Sequence, residues 1–110
     1  MGYYWHVTQF KKNVIKIVSK IPKGKVVTYG QVALLAGSPG AARQIAGILR
    51  SSPIELPWHR VINAKGEIST YRVGFGDFQE AMLKTEGIHF VNNKIDLKKY
   101  RWQVDSEMTF

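Results

Sequence analysis

Few side chains in this 110-residue sequence could carry acid–base, nucleophilic or metal chemistry. The chain has no cysteine, which excludes disulfides, thiolate metal sites and a thiol nucleophile together. Its three histidines, His6, His59 and His89, lack the spacing of metal ligands, and no serine, histidine and acid form a convincing hydrolytic set. We therefore expect no metal and no cofactor, and we expect that the protein is not an enzyme.

The residues best suited to a functional site are gathered in the segment Leu56-Pro57-Trp58-His59-Arg60-Val61-Ile62-Asn63. An indole has no nucleophile, but Trp58 offers a broad apolar face that could pack against another molecule. The alternative is that Trp58 belongs to the core or to a hairpin, which is the commoner role of a tryptophan. We expect Arg60 to be structural, bound to backbone carbonyls or to a carboxylate.

The charge of the chain points to a polyanionic partner. Lysine and arginine number 16 against 8 acidic residues, a net charge of +8, and nucleic acid is the leading candidate. The alternative is a basic surface that only confers solubility. The sequence has neither a signal-peptide pattern nor an apolar run near the roughly 20 residues of a membrane span. We expect a protein that is not secreted, located in the cytoplasm or nucleoid of a prokaryote or the nucleus of a eukaryote.

Hydrophobic periodicity and capping signals predict the elements that position this segment. Apolar residues at helical spacing predict a first helix over about 8–21, with Thr8 as its N-cap. A second helix, about 28–36, opens on a capping box, and a third, about 39–50, follows the stop at Gly37. Two short helices joined by a tight turn are typical of a helix-turn-helix.

The second half of the chain is predicted to contain short hairpins and one more helix. Val61-Ile62 and Glu67-Ile68 suggest a hairpin or wing, and a second hairpin turns at Asn92-Asn93. Between them, Asp77-x-x-Glu80 predicts an N-cap for a fourth helix over about 77–86. The predicted fold is mainly α with short β-hairpins, a winged-helix-like helix-turn-helix domain. It forms one domain over residues 1–102, followed by a loose tail at 103–110.

The Trp58 segment resembles the active-site segment of the O6-alkylguanine-DNA alkyltransferases, Pro-Cys-His-Arg-Val, in which the cysteine accepts the alkyl group. Here Trp58 occupies the cysteine position, which is the mark of the alkyltransferase-like proteins. The stretch Ile21 to Gly30, the run Ala41-Ala42-Arg43 and the pair Glu86-Gly87 also match the family in order. The resemblance covers about residues 10–102 and implies the DNA-binding fold of those enzymes.

The resemblance implies a helix that enters the minor groove and flips a nucleotide out of the duplex. Arg43 would take the place of the extruded base in the stack, and Tyr29 would contact the phosphate and help to rotate the nucleotide. The alternatives are a solvated helix face for Arg43 and a core aromatic for Tyr29. The full set of expected DNA contacts is Tyr29, Ala41, Ala42, Arg43, Gly47, Arg50 and Ser52.

A pocket for the flipped base is implied at Trp58. Either Tyr71 or Arg72 matches the family's pocket tyrosine, and the sequence leaves that choice open. The residues expected to line the pocket are Trp58, Leu49, Pro57, Ile68, Tyr71 and Arg72. His59 and Glu86 match the pair that activates the thiol in the enzymes; without a thiol they either fix the fold or assist binding. Asn63 is implied to bridge the helix-turn-helix to the site loop as a scaffold residue.

Three functions remain open from the sequence. The first is a non-enzymatic protein, expected to be monomeric, that binds O6-alkylguanine in double-stranded DNA and flags it, with nucleotide excision repair as the implied downstream pathway. The second is a helix-turn-helix regulator without a lesion pocket, whose affinity would depend on operator sequence. The third, an enzyme with another nucleophile, has the least support because no such residue set is apparent.

Overall fold

A computed structural model describes residues 8–104, apart from the side chain of Arg72. Its helices are α1 Gln9–Ser19, α2 Tyr29–Leu35, α3 Ala42–Arg50, α4 Gly76–Thr85 and α5 Leu97–Tyr100. Its strands are β1 Val27–Thr28, β2 Val61–Ile62, β3 Phe90–Val91 and β4 Lys94–Ile95. Single 3₁₀ turns cover Pro39–Ala41, Trp58–Arg60 and Thr70–Val73. The mainly α fold expected from the sequence is confirmed, and residues 105–110 of the expected tail lie outside the described residues.

The first helix forms where its apolar spacing predicts it. The Thr8 hydroxyl accepts a hydrogen bond from the backbone N–H of Lys11 at 3.1 Å, so the predicted N-cap is confirmed. Val14, Ile17 and Val18 lie on one face of the helix and are buried. This face closes one side of the core beneath the helix-turn-helix.

The helix-turn-helix is built from α2 and α3. Thr28 caps α2 by accepting from the N–H of Gln31 at 3.1 Å, while the Gln31 amide donates to the carbonyl of Trp102. The predicted capping box is therefore only half formed. Gly37, at φ +97°, ends α2 in the left-handed conformation that glycine adopts at little cost. The 3₁₀ turn Pro39–Ala41 then leads into α3, which confirms the predicted motif.

The first predicted hairpin is wrong in its pairing. Strand β2 pairs in parallel with β1, with Val27 opposite Val61 and Thr28 opposite Ile62. Both residues of β2 are fully buried, which suits a parallel pair covered on both faces better than a solvent-exposed wing. The segment that follows forms a turn instead, because the Asn63 side-chain oxygen accepts from the N–H groups of Lys65 and Glu67, each at 2.9 Å.

The predictions for the remaining elements are confirmed in part. Helix α4 begins at Gly76, and the predicted N-cap at Asp77 is wrong, since Asp77 lies inside the first turn. The hairpin at Asn92-Asn93 is confirmed, and both asparagines have positive φ, 54° and 63°, as a two-residue hairpin turn requires. The short helix α5, capped by Asp96, was not expected.

The core has two parts that meet at the β1–β2 pair. One is formed mainly by α1, α2 and α3 and includes Val27 and Val61. The other packs the hairpin β3–β4 and α5 against α4 and includes Val26 and Ile62. Between residues 8 and 104, no helix is long and apolar enough to cross a membrane.

Candidate functional site

A pocket of about 270 Å³ lies where the helix-turn-helix meets the Trp58–Arg60 turn. This is slightly below the range of roughly 300–1,000 Å³ typical of small-molecule pockets. Most of its surface is apolar, and its only charged lining side chain among the described residues is Arg50. The lining residues are Tyr29, Ala46, Leu49, Arg50, Trp58, Thr70, Val73 and Phe75.

Trp58 forms part of the pocket wall. Its indole is half-buried and lies outside both parts of the core. The ring meets Phe75 edge-on, with centroids 6.4 Å apart, and lies at a shallow tilt to Phe78, with centroids 6.3 Å apart. Phe75 and Phe78 are themselves 54% and 59% exposed. The three rings therefore make an apolar surface that continues from the pocket to solvent.

The sequence did not predict the wall formed by Thr70, Val73 and Phe75. This wall lies on a 3₁₀ turn and the loop before α4, where two glycines interrupt any periodic pattern. The one signal that could have indicated it is a pair of aromatic residues, Phe75 and Phe78, flanking the start of a helix. A contiguous exposed patch of aromatic residues is typical of a surface that binds a ligand or partner.

Two residues expected in the pocket lie elsewhere. Ile68 is 7% exposed and packs in the core with Leu83 and Ile95, because the turn at residues 63–67 directs it inward. Tyr71 is not among the described lining residues. Its phenol hydroxyl donates to the Glu80 carboxylate on α4. This bond and the nearby acidic charge raise the pKa of Tyr71 to about 12.

Two further residues expected in the pocket, Pro57 and Arg72, are not part of its described lining. Pro57 precedes the Trp58 turn and is half-buried, but the described pocket surface does not include it. Arg72 lies on the Thr70–Val73 turn, and its side chain is outside the described part of the structure. Leu49 and Trp58 do line the pocket.

Glu86 and His59 form one hydrogen-bonded cluster with Arg60. His59 Nε2 lies 2.7 Å from the Glu86 carboxylate, and Arg60 binds the same carboxylate with its Nε at 3.0 Å and its Nη2 at 2.7 Å. Arg60 Nη1 also donates to the carbonyl of Ile21 at 2.8 Å. Arg60 is therefore bound to both a carbonyl and a carboxylate, the structural role expected for it.

The cluster keeps Glu86 ionised. Burial acts to raise the pKa of this carboxyl, but hydrogen bonds from Arg60, His59 and the backbone N–H of Gly24 outweigh burial and lower it from 4.5 to about 2. The Glu86 side chain is only 8% exposed. It joins three segments: the turn after α1, the Trp58–Arg60 turn and the end of α4. No thiol accompanies this cluster, because the chain has no cysteine.

The outer face of α3 is suited to close approach by another molecule. Arg43 is exposed in its first turn, after the half-buried Ala41 and Ala42. A side-chain carbon built at Gly47 would meet no described atom within 4 Å, so packing inside the protein does not require glycine there. Glycine inside a helix costs roughly 0.5–1 kcal/mol relative to alanine, and an approaching backbone is a common reason to retain it.

Of three other expected DNA contacts, two line the pocket, and Ser52 is not part of the described lining. Tyr29 lines the pocket, and its hydroxyl lies 3.3 Å from the hydroxyl of Ser69. Arg50 lines the pocket and is exposed. The hydroxyl of Ser52 is engaged locally, since it donates to the carbonyl of Ile54 and accepts from its N–H. Asn63 likewise binds within its own turn instead of forming the expected bridge to the helix-turn-helix.

Comparison with known families identifies this arrangement. The model of the 6-O-methylguanine DNA methyltransferase DNA-binding domain matches residues 9–88. The chain belongs to this family. One relative, from Rattus norvegicus, is named a methylated-DNA–protein-cysteine methyltransferase and is 40% identical over 82 residues. This chain, by contrast, contains no cysteine.

Individual relatives confirm the alkyltransferase-like character. A protein named as a DNA base-flipping protein from Escherichia coli K12 is 45% identical over 95 residues, covering 84% of this chain and 74% of the relative. Alkyltransferase-like protein 1 from Schizosaccharomyces pombe is 36% identical over 103 residues, covering 86% and 95%. A crystal structure of that yeast protein with damaged DNA containing O6-carboxymethylguanine matches with a TM-score of 0.80 at 33% identity. It covers 91% of this chain and 100% of the yeast chain.

Proposed function

We propose that this protein binds double-stranded DNA as a monomer, rotates an O6-alkylated guanine into the pocket beside α3 and leaves the alkyl group in place. One observation carries the proposal most directly. At the position where the family's enzymes hold an acceptor cysteine, this chain has Trp58, and its indole forms the wall of an open apolar pocket. The site thus keeps a surface for a base and its substituent but lacks the thiol that accepts the alkyl group in the family's enzymes.

The pocket can offset part of the cost of flipping. Unstacking and unpairing a nucleotide costs a few kcal/mol, and a base stacked against an aromatic ring regains about 1–3 kcal/mol. The Trp58 indole supplies such a ring, and Leu49 and Phe75 supply further apolar surface. Arg43 is the candidate to occupy the gap left in the duplex, because it is exposed on α3 next to small residues.

The absence of a thiol separates recognition from repair. Transfer of an alkyl group from the guanine oxygen requires a strong nucleophile, and a thiolate is the one that the family's enzymes use. Glu86 binds both His59 and Arg60, so the role left to this cluster is to hold the Trp58 turn in place. Because the lesion stays in the DNA, another system must remove it. We propose nucleotide excision repair, which excises the damaged strand.

The proposal is tested by titration of one duplex with and without a single O6-methylguanine, followed by fluorescence anisotropy. We expect tighter binding to the damaged duplex. The matched variant is Arg43→Lys, which keeps the charge but loses the planar guanidinium that can stack between bases. It should lower the preference for the damaged duplex and affect undamaged DNA less. Equal affinity of the wild-type protein for both duplexes would contradict the proposal and favour a sequence-specific regulator.

A further inference from the structure

Gln79 is a buried polar side chain on α4, directly behind the pocket. It is 1% exposed, and both its amide nitrogen and its amide oxygen form hydrogen bonds. The amide nitrogen donates to the carbonyls of His59 at 2.9 Å and Val61 at 3.1 Å. The amide oxygen accepts from the hydroxyl of Thr70 at 2.5 Å.

These partners belong to two different walls of the pocket. His59 follows Trp58 on the same 3₁₀ turn, so its carbonyl holds the backbone that carries the indole. Thr70 begins the 3₁₀ turn that contributes Val73 and leads to Phe75, and Thr70 itself lines the pocket. A single amide group therefore joins the two segments by hydrogen bonds, in addition to the contact between the Trp58 and Phe75 rings.

The Thr70 wall is also fastened to α4 at a second point. The Tyr71 hydroxyl donates to Glu80, which also accepts from Lys84 at 2.8 Å. The Tyr71 ring packs so closely on Gly76 that a side-chain carbon there would collide with it. Tyr71 and Thr70 are adjacent, so the 3₁₀ turn is held against α4 from both its buried and its exposed side. Helix α4 is thus the common support of both walls.

We propose that Gln79 is a positioning residue that fixes the separation of the Trp58 and Thr70 walls and thereby limits the size of the O6 substituent that the pocket accepts. The inference rests on the proposed function. Glutamine suits this role because it donates and accepts at once, whereas methionine of similar length does neither and glutamate has no amide donor. If Gln79 had a purely structural role, its substitution would lower stability and reduce the affinity for every ligand alike.

The experiment compares duplexes carrying O6-methylguanine and O6-benzylguanine, with the undamaged duplex as reference, by anisotropy below the onset of thermal unfolding. Thr70→Val removes the bond between the walls and preserves side-chain shape. Because Thr70 also lines the pocket, Thr70→Ser, which keeps the hydroxyl, controls for the change in the lining. Gln79→Met removes all three bonds of the amide. Thr85→Val is the matched control, because it deletes an exposed hydroxyl that donates to the carbonyl of Ala81 on the same helix.

We expect Thr70→Val to shift the ratio of the two lesion affinities toward the benzyl adduct by about three- to tenfold, the worth of one hydrogen bond. Gln79→Met should shift it at least as far, and Thr85→Val should leave it unchanged. If Gln79→Met does not fold, Thr70→Val decides alone. If the wild type prefers damaged DNA but the variants leave the ratio of the two lesion affinities unchanged, only this inference is overturned. A wild-type protein with no preference for either lesion overturns the proposed function as well.

Discussion

At the scale of single residues, the proposed recognition of the lesion depends on Trp58. Its indole is half-buried among exposed aromatic neighbours, whereas Trp102, at 7% exposed, packs in the core. A chain that needed Trp58 only for stability would cover it more fully, since exposed aromatic surface contributes little to folding. Its position therefore fits contact with a ligand.

Trp58→Ala should reduce the affinity for damaged DNA by about 1–3 kcal/mol, because the flipped base loses its stacking partner. Binding to undamaged DNA should fall less, since the indole lies in the pocket and not on the outer face of α3. Trp58→Phe, which keeps an aromatic face, should recover part of the loss. Anisotropy titrations on both duplexes measure this. Equal losses on both duplexes, accompanied by a lower melting temperature, would make Trp58 a structural residue.

The sequence allowed some site residues to be placed and not others. Arg60 could be assigned a structural role because a charged residue inside an apolar segment needs a partner. Ile68 was misplaced, since nothing local distinguishes an inward-facing residue after a turn from a pocket residue. Tyr71 lies outside the described pocket lining because its hydroxyl binds Glu80 on α4, a contact that no local pattern predicts. Phe75 lies on an aperiodic loop, and its ring packs against Trp58, a residue distant in sequence, so no local pattern predicts its orientation.

At the scale of elements, Glu86 joins three segments that support the pocket. Its pKa is lowered from 4.5 to about 2, so the carboxylate stabilises the folded state above pH 4.5. That contribution declines as the pH falls from 4.5 towards 2. A shift of this size corresponds to at most about 3 kcal/mol.

Glu86→Gln should therefore be less stable than the wild type at pH 7, and the difference should shrink as the pH is lowered from 4.5 towards 2. The physical reason is that protonation of Glu86 in the wild type removes the same charge that the substitution removes. Urea denaturation of both proteins at pH 7, 5, 4 and 3 measures the difference. A gap that stays constant down to pH 3 would show that the carboxylate charge is not what holds the three segments together.

Helix α3 carries a second prediction, at Gly47. Gly47→Ala should raise the free energy of unfolding by about 0.5–1 kcal/mol, because alanine favours the helix and its methyl group would enter open space. It should nevertheless weaken binding to damaged and undamaged DNA alike, since the methyl group keeps α3 away from the duplex. Thermal melts and anisotropy together test this. Higher stability with unchanged affinity would mean that Gly47 does not face DNA.

The elements themselves differ in how far local sequence determined them. Helices α1 and α2 and the hairpin at Asn92-Asn93 were predicted because their caps, periodicity and turn residues are local signals. The parallel pairing of β1 with β2 was not, since it joins segments 34 residues apart in register. Such pairing depends on how the two parts of the core assemble, and no short-range pattern reports it.

At the scale of the whole molecule, the net charge of +8 predicts salt-sensitive binding to undamaged DNA. If four to six phosphates are contacted, the logarithm of the binding constant should fall with the logarithm of salt concentration at a slope of about −4 to −5. Titrations of an undamaged duplex between about 50 and 200 mM salt measure the slope. A slope near zero would show that contacts with phosphates contribute little to binding.

The most direct test of the central claim, recognition without alkyl transfer, is to determine the mass of both partners after binding. The protein is incubated with a duplex containing O6-methylguanine until binding is complete, the complex is denatured, and protein and DNA are analysed by mass spectrometry. We expect unmodified protein and intact methylated DNA, because no residue of the chain supplies a thiolate. A protein heavier by one methyl group, or DNA that has lost its methyl group, would contradict the account.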